Sequence, residues 1–279
     1  MLEQCSFRTY PESCFASRRQ RKCAVPGAPE PRQNQLLAAL PSLEYERLLS
    51  DLEPVVLPRG STIYGAGDRE RHLYFITAGL VARLGESENG TLAGFSVTGR
   101  EGVIGVASFL GGGSTPSLAI ALNAGHAYRL PADLVQDEFR HDGALMHLLL
   151  HYLRVLVAQI GQNAACSRHH SLEQRLCRCL LACLDRLGSN ELAMTHELIS
   201  HVLGARREGV TEAAGRLQQA GLIHCSRGHI VVLDRAALEA RVCECYAVVK
   251  RECTRVIPNC CKPSSQFAAA LTTFAPIGA

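Results

Sequence analysis

Residues 194–223 constrain this chain more than any other stretch, because they carry the pattern of two short helices joined by a tight turn. Thr195 can cap the first helix, and Ile199 and Val202 belong to its apolar face. Gly204 supplies the turn, since glycine enters the left-handed region without a steric cost. The stretch therefore predicts a helix-turn-helix.

The second helix of this pair is predicted to begin near Arg206 and to stop at Gly221. It opens with polar residues, and its later apolar residues recur at a helical spacing. Two short apolar runs, residues 222–225 and 229–233, then flank a basic tip at residues 226–228, which predicts a β-hairpin. A helix-turn-helix followed by such a hairpin is a winged helix, whose second helix presents its first turns to base edges in the major groove.

Residues 55–130 have a different character, with short apolar runs separated by glycine-containing turns. This texture predicts a sandwich or barrel of short strands. Two short helices broken at Pro41 are predicted before it, within residues 34–52. Residues 103–125 lack charge, but the glycines at 111–113 interrupt them, so two buried strands and a loop are favoured over a membrane span.

A long helix from about residue 144 to residue 166 follows, and it is apolar on nearly every side. Such a helix must be covered on several sides. The β domain can cover one side and a second copy of the helix another; the alternative is the central helix of a monomer. A homodimer would place two recognition helices one turn apart on the same face of a duplex. The predicted dimerisation residues are Leu145, Leu149, Tyr152, Leu156 and Ile160.

The remaining segments complete a five-part organisation. Ser171 and Gln174 form a capping box for a helix that ends near Leu187, and Asp234 caps a last helix over about residues 235–252. The predicted parts are a disordered arm (1–32), a β domain (33–143), a dimerisation helix (144–167), a winged-helix domain (168–252) and a flexible tail (253–279).

Charge and cysteine content favour a cytoplasmic protein. The formal net charge is only +3, which permits DNA binding without demonstrating it. No secretory signal is visible, because the basic residues of the arm precede no apolar core. The 13 cysteines are then expected to be mostly reduced.

The order of helix pair, β domain, long helix and winged helix resembles the Crp/Fnr family of bacterial transcription regulators. Residues 58–63, 67–68 and 74–79 match that family's cyclic-nucleotide-binding-like pattern, and the resemblance covers roughly residues 34–250. It implies an α+β fold with an N-terminal jelly-roll β-barrel of the cyclic-nucleotide-binding type. It also implies a DNA-binding homodimer on a two-fold symmetric operator, with RNA polymerase as a partner if the protein is an activator, and neither an enzyme nor a membrane protein.

By this resemblance, Arg207, Glu208 and Glu212 fall on the family's base-contacting positions. An Arg can bond guanine bidentately, and a Glu can accept from cytosine. Ser226 and Arg227 of the wing are candidate phosphate contacts. The alternative is that these side chains are exposed and form local i,i+4 pairs. The full set predicted to bind DNA is Thr195, Arg206, Arg207, Glu208, Thr211, Glu212, Ser226 and Arg227.

The effector of such a regulator is not predicted. Family members that bind cyclic AMP use a Glu after a glycine-rich turn and an Arg-Ser pair; here Val106 occupies the first position and residues 115–118 contain no Arg. An anion needs a guanidinium or a nest of amides, so we expect no cyclic nucleotide as a cofactor.

The cysteines do not match the family's iron–sulfur pattern either. Cys5, Cys14 and Cys23 are evenly spaced in the arm, but residues 34–165 contain no cysteine, and a cluster usually needs four thiolates. Buried packing is favoured over zinc binding for Cys179 and Cys183. We therefore expect no iron–sulfur cluster and no metal. The alternative function is a ligand- or redox-sensing module, with an iron–sulfur or thiol sensor, whose winged helix mainly mediates protein contacts.

Overall fold

The computed structural model describes residues 29–141 and 143–256. The predictions of a disordered arm and a flexible tail fall largely outside these residues. So do the cysteines at 5, 14, 23, 260 and 261.

Two short helices, α1 (Gln35–Ala39) and α2 (Ser42–Leu49), precede the β domain and are separated at Pro41, as predicted. Asn34 caps α1, because its side-chain oxygen accepts from the backbone N–H groups of Leu36 and Leu37, the second and third residues of the helix. The same side chain donates to the carbonyls of Ile76 and Gly102, at 3.0 and 2.9 Å. One buried amide therefore fixes the helix pair against the β domain.

The β domain contains eight strands, each close to a predicted run. They form two four-stranded antiparallel sheets, ordered β1-β8-β3-β6 and β2-β7-β4-β5, which pack as a jelly roll. This confirms the predicted α+β class, although two facing sheets form the roll rather than one closed barrel. The strands are β1 (Glu53–Leu57), β2 (Thr62–Tyr64), β3 (His72–Ala78), β4 (Val81–Glu86), β5 (Leu92–Thr98), β6 (Val103–Ile104), β7 (Ser117–Ala121) and β8 (Gly125–Pro131).

The second sheet is buried on both faces. On β4, Val81 packs inside the roll, whereas its neighbours Ala82 and Leu84 pack against the C-terminal helices. Strand β7 is buried at every position, and its side chains divide between the same two cores. A strand covered on both faces loses the alternation of apolar and polar residues. The β domain and the C-terminal domain therefore share one continuous apolar core.

Helix α3 (Ala132–Arg140) leads into α4 (Ala144–His169), which is the predicted long helix. The predicted dimerisation face is wrong, however, because it points into the chain's own core. Four of its five residues are at most 4% exposed, and the fifth, Ile160, packs against the same buried core. The sequence could not distinguish the faces, since the helix is apolar almost all round. The residues concerned are Leu145, Leu149, Tyr152, Leu156 and Ile160.

Within the described residues, α4 is also long and apolar enough to cross a membrane by length and composition. One third of its most apolar 18-residue segment is buried inside the chain. The core helix of a soluble protein can have the same length and composition, so these two properties do not distinguish a membrane span from a core helix.

The C-terminal part begins with α5 (Leu172–Leu187), which carries the predicted capping box of Ser171 and Gln174. A helix pair, α6 (His196–Leu203) and α7 (Arg207–Gln219), is followed by a hairpin, β10 (Ile223–Ser226) and β11 (His229–Val232). A short strand that was not predicted, β9 (Glu191–Leu192), completes a sheet of order β10-β11-β9.

The single last helix predicted over residues 235–252 is wrong. The chain forms α8 (Arg235–Arg241) and α9 (Cys245–Val256), and α9 packs along α4. Val242 leaves the helical region with ψ 151°, although no Gly or Pro marks a break there. We therefore attribute this break to the packing of α9 against α4 and not to the local helix propensity of the sequence. It also places the start of the predicted tail, residues 253–256, inside α9.

Candidate nucleic-acid interface

The helix-turn-helix is built as the sequence predicts. Thr195 caps α6, because its hydroxyl accepts from the N–H of Leu198 at 3.1 Å. Gly204 ends that helix in the left-handed region with φ 57°. The apolar residues of both helices turn inward, among them Ile199, Val210, Ala213, Ala214 and Leu217.

All eight residues predicted to bind DNA lie at the surface. Arg206 is the residue before α7, and Arg207 is the first of the helix. The first turn of α7 and the hairpin border one groove, which Thr195, Arg207, Ser226 and Arg227 help to line. The structure thus brings the predicted base-contacting helix and the predicted phosphate-contacting wing to one surface.

Two of the predicted residues on α7 have local partners. Glu212 accepts from Arg216 at 2.7 Å, and Arg216 also donates to Glu173 of α5 at 2.9 Å. Thr211 donates its hydroxyl to the carbonyl of Arg207, at 3.0 Å. Glu212 is therefore held in an i,i+4 pair, which is the alternative role considered for this set.

Arg207 and Glu208 differ, because within residues 29–141 and 143–256 they form no ion pair. Their charged groups are free to meet a nucleic acid. Arg207 also acts on its neighbour His196: burial, and then the charge of Arg207, lower the pKa of that imidazole. A neutral His196 suits its place between the two helices, where Nδ1 lies 3.1 Å from the hydroxyl of Thr211.

The wing turns tightly and lies beside the β domain. Arg227 has φ 38° and Gly228 has φ 83°, so the tip is left-handed. A Cβ on Gly228 would lie 3.7 Å from the guanidinium of Arg59, in the turn between β1 and β2. The candidate interface therefore borders the domain that would carry a signal.

The interior of the jelly roll contains a charged side chain that the sequence analysis missed. Arg83 of β4 is only 2% exposed and donates to the carbonyl of Val103 at 3.0 Å. Its Nε has no hydrogen-bond partner among the described residues. The alternation of β4 could have revealed it, since Arg83 lies two residues after the inward-facing Val81.

Nearby groups make this interior polar. The hydroxyl of Tyr64 is buried without a partner among the described residues, and burial raises its pKa. Glu70 accepts from the backbone N–H of Ala107 at 2.5 Å, beside Val106. Val106, which stands where cyclic-AMP-binding members have a Glu, thus lies next to the carboxylate of Glu70 from another segment.

A second group missed by the sequence analysis joins α4 to the start of α9. One donor atom from each of Cys166, His170, Cys243 and Cys245 lies within 4.8 Å of the other three. By contrast, Cys179 and Cys183 are buried in the shared apolar core, where they pack as small apolar residues.

Comparison with known proteins agrees with both halves of the chain. The cyclic nucleotide-binding domain family matches residues 54–142, and the Crp-like helix-turn-helix domain family matches residues 174–241. A CRP-like cAMP-activated global transcriptional regulator of Mycobacterium tuberculosis is 25% identical over 70% of this chain and 90% of its own length. A global nitrogen regulator of Synechococcus elongatus is 24% identical over 74% of this chain and 96% of its own length.

Among solved structures, FixK2 from Bradyrhizobium japonicum superposes with a TM-score of 0.61 at 18% identity, over 69% of this chain and 98% of that one, which shows a shared fold. The fold, the exposed recognition helix and the relatives define a DNA-binding transcription regulator rather than an enzyme. The chain belongs to the Crp/Fnr family.

Proposed function

We propose that this regulator is a homodimer that binds a two-fold symmetric operator with sequence specificity, through α7 in the major groove. The observation that carries the proposal is the exposed first turn of α7, which lies next to the wing and projects Arg207 and Glu208, neither of which forms an ion pair within the part of the chain that the structure describes. A helix-turn-helix reads bases with the first residues of its second helix.

Each polar group has a role that its chemistry supports. Arg207 donates two bonds to guanine O6 and N7, and Glu208 accepts from cytosine N4. Thr195, Ser226 and Arg227 contact phosphates and fix the register of the protein on the duplex. Glu212 would have to leave Arg216 before it could read a base.

The test compares Arg207→Ala with two controls on a library of randomised duplexes. Arg207→Ala should cost about 1–3 kcal/mol at one base pair per half-site and relax specificity there. Arg227→Ala should weaken all sequences alike and reduce the slope of log affinity against log salt by about one unit. Arg251→Ala removes an exposed guanidinium from α9, away from the proposed interface, and should change neither property.

If the wild-type protein prefers no symmetric site over random duplex at physiological salt, the proposal fails. A winged helix that mediates protein contacts would then be favoured. An equal loss on every sequence with Arg207→Ala would place that residue on phosphate instead of on a base.

We also propose that the protein does not respond to cyclic AMP. In support, Val106 stands where a ribose-binding Glu would be, and residues 115–118 contain no Arg to hold the phosphate. Calorimetric titration should show no binding tighter than about 1 mM, and DNA affinity should not change with the nucleotide. Saturable binding at lower concentration would contradict this, and would direct attention to Arg83 as a replacement guanidinium.

A regulator that binds the chromosome is expected to act in the cytoplasm. We infer that the apolar exposed side of α4 meets a second copy of the helix rather than lipid. If the protein is an activator, RNA polymerase is a further partner.

A further inference from the structure

Three cysteine thiols and one imidazole converge at the C-terminal end of α4. Cys166 lies in the last turn of α4, and His170 is the residue that follows the helix, with its backbone N–H bonded to the carbonyl of Cys166 at 3.1 Å. Cys243 and Cys245 come from the break between α8 and α9. Because the chain is not helical at that break, both cysteines turn to the same point although they are only two residues apart.

The distances match those of a tetrahedral metal site. The sulfur atoms of Cys166 and Cys243 are 3.6 Å apart, and the sulfur of Cys245 is 3.5 Å from Nδ1 of His170. Zinc bonds of about 2.3 Å to sulfur and 2.0–2.1 Å to nitrogen give separations of about 3.8 and 3.6 Å in a tetrahedron. The remaining pairs lie within 4.8 Å, so small side-chain rotations complete the geometry.

The contacts around the donors are those that a metal site needs. Nε2 of His170 lies 3.2 Å from the carboxylate of Glu244, and such a carboxylate fixes a metal-bound imidazole with its other nitrogen toward the ion. Gln162 donates its amide to the sulfur of Cys245 at 3.0 Å, a bond that stabilises a thiolate. The three cysteines are at most 3% exposed, so solvent does not compete for the ion.

We infer that Cys166, His170, Cys243 and Cys245 bind one Zn²⁺ ion in a closed structural site. Three thiolates and one imidazole fill all four positions, which leaves none for a substrate. The donors are too close together for an iron–sulfur cluster, whose core of irons and sulfides holds its ligands further apart. This site replaces the expectation that the chain binds no metal.

The position of the site indicates what the ion does. Two ligands immediately precede the matched helix-turn-helix domain (174–241) and two immediately follow it. One ion therefore closes the polypeptide around the whole DNA-binding domain and ties both its ends to α4. A bond that closes a long loop restricts the unfolded chain, and zinc binding free energy adds to folding free energy.

The test measures metal in the full chain, purified with a reductant under anaerobic conditions. We expect about one zinc ion per chain by elemental mass spectrometry, and loss of that zinc in Cys243→Ser and in Cys166→Ser. Two controls should keep the zinc: Cys225→Ser, on the wing, and the double change Cys260→Ser with Cys261→Ser, which removes other thiols.

Two measurements do not depend on the folding of those variants. Cobalt added to wild-type protein stripped of zinc should give the visible absorption of a tetrahedral thiolate complex. Glu244→Gln, at an exposed residue, should weaken zinc about 10–100-fold, whereas Glu239→Gln, which loses only a surface pair with Arg235, should not.

Several results would overturn the site. Wild-type protein that carries no zinc and shows no thiolate–cobalt absorption would do so. So would zinc that survives Cys243→Ser but is lost with the cysteines at 260 and 261. A disulfide between Cys166 and Cys243 that persists in protein purified with the reductant would also exclude it.

Discussion

Arg186 and Glu101 form a buried ion pair that joins the two domains. The guanidinium on α5 donates to the carboxylate at 2.6 Å, and both side chains are less than a tenth exposed. The carboxylate also accepts from the N–H of Gly99, and the guanidinium donates to the carbonyl of Ala182. Burial disfavours the charged guanidinium, but the negative charge of Glu101 outweighs this effect and raises the pKa of Arg186 above its ordinary value.

Removing one member of this pair leaves an uncompensated buried charge. Arg186→Met should lower the free energy of unfolding by about 3–5 kcal/mol in denaturant titrations. Arg140→Met breaks a solvent-exposed pair with Asp137 and should cost no more than about 1 kcal/mol. If the two variants lose equal stability, the interdomain pair does not stabilise the protein as its burial indicates.

The role of a single residue could be predicted from the sequence only where a local pattern determines that role. Thr195 and Gly204 could be assigned from the sequence, since a cap and a left-handed turn are local features. Cys166 and Cys243 could not, because their sulfurs meet only after α9 packs on α4. The ion pair between Glu212 and Arg216 was not predicted either, because these residues are two of several exposed charges on α7.

Helix α6 approaches strand β5 closely enough for the two backbones to touch. A Cβ on Gly94 would lie 2.4 Å from the carbonyl oxygen of Val202 and 2.8 Å from its Cα. Gly94 does not have a positive φ, so only this contact requires a glycine. The first helix of the DNA-binding pair is therefore seated directly on the β domain, and a signal from that domain can reach it there.

Gly94→Val should push α6 off β5, at a cost of about 1–3 kcal/mol, because backbone cannot give way as a flexible side chain can. Amide hydrogen exchange should rise in α6 and β5 and stay unchanged in α3. Gly85→Val is the matched control on the neighbouring strand, where an added Cβ would meet only a carbonyl oxygen at 3.9 Å. Equal exchange in both variants would mean that the contact does not hold α6 in place.

Element types were largely predictable, but some boundaries and pairings were not. All eight strands of the roll and the helices through α7 follow from short apolar runs, turn glycines and capping signals. The two-residue strand β9 is too short to leave a pattern. The break at residues 242–244 carries no local signal, because tertiary packing overrides helix propensity there.

At the scale of the whole molecule, α4 connects the β domain to α9. Its inner face packs on the jelly roll, its C-terminal end carries two of the proposed zinc ligands, and α9 runs along it. Sequence could show that the helix must be covered on several sides, but not which neighbour takes which side. A second copy can therefore reach only the face that the chain leaves open.

That open face has the spacing of a coiled coil. Leu150 and Val157 are 43% and 68% exposed and seven residues apart. Gly161 and Arg154, which pairs with Glu252 of α9 at 3.6 Å, alternate with them along the same face. Apolar residues that repeat every 3.5 positions pack two helices along a shared seam. A Cβ on Gly161 would meet nothing within 4 Å, so a partner helix can approach closely there.

Val157→Glu should convert the proposed dimer into a monomer, because a two-fold axis along this seam would bring two buried carboxylates together. Sedimentation velocity should show the change in mass, and affinity for a symmetric operator should fall while weak non-specific binding to DNA persists. Leu43→Glu makes the same kind of change at an 83% exposed residue of α2 and should remain dimeric. A Val157→Glu protein that stays dimeric would exclude this face of α4 as the interface, and the dimer contact would have to lie elsewhere.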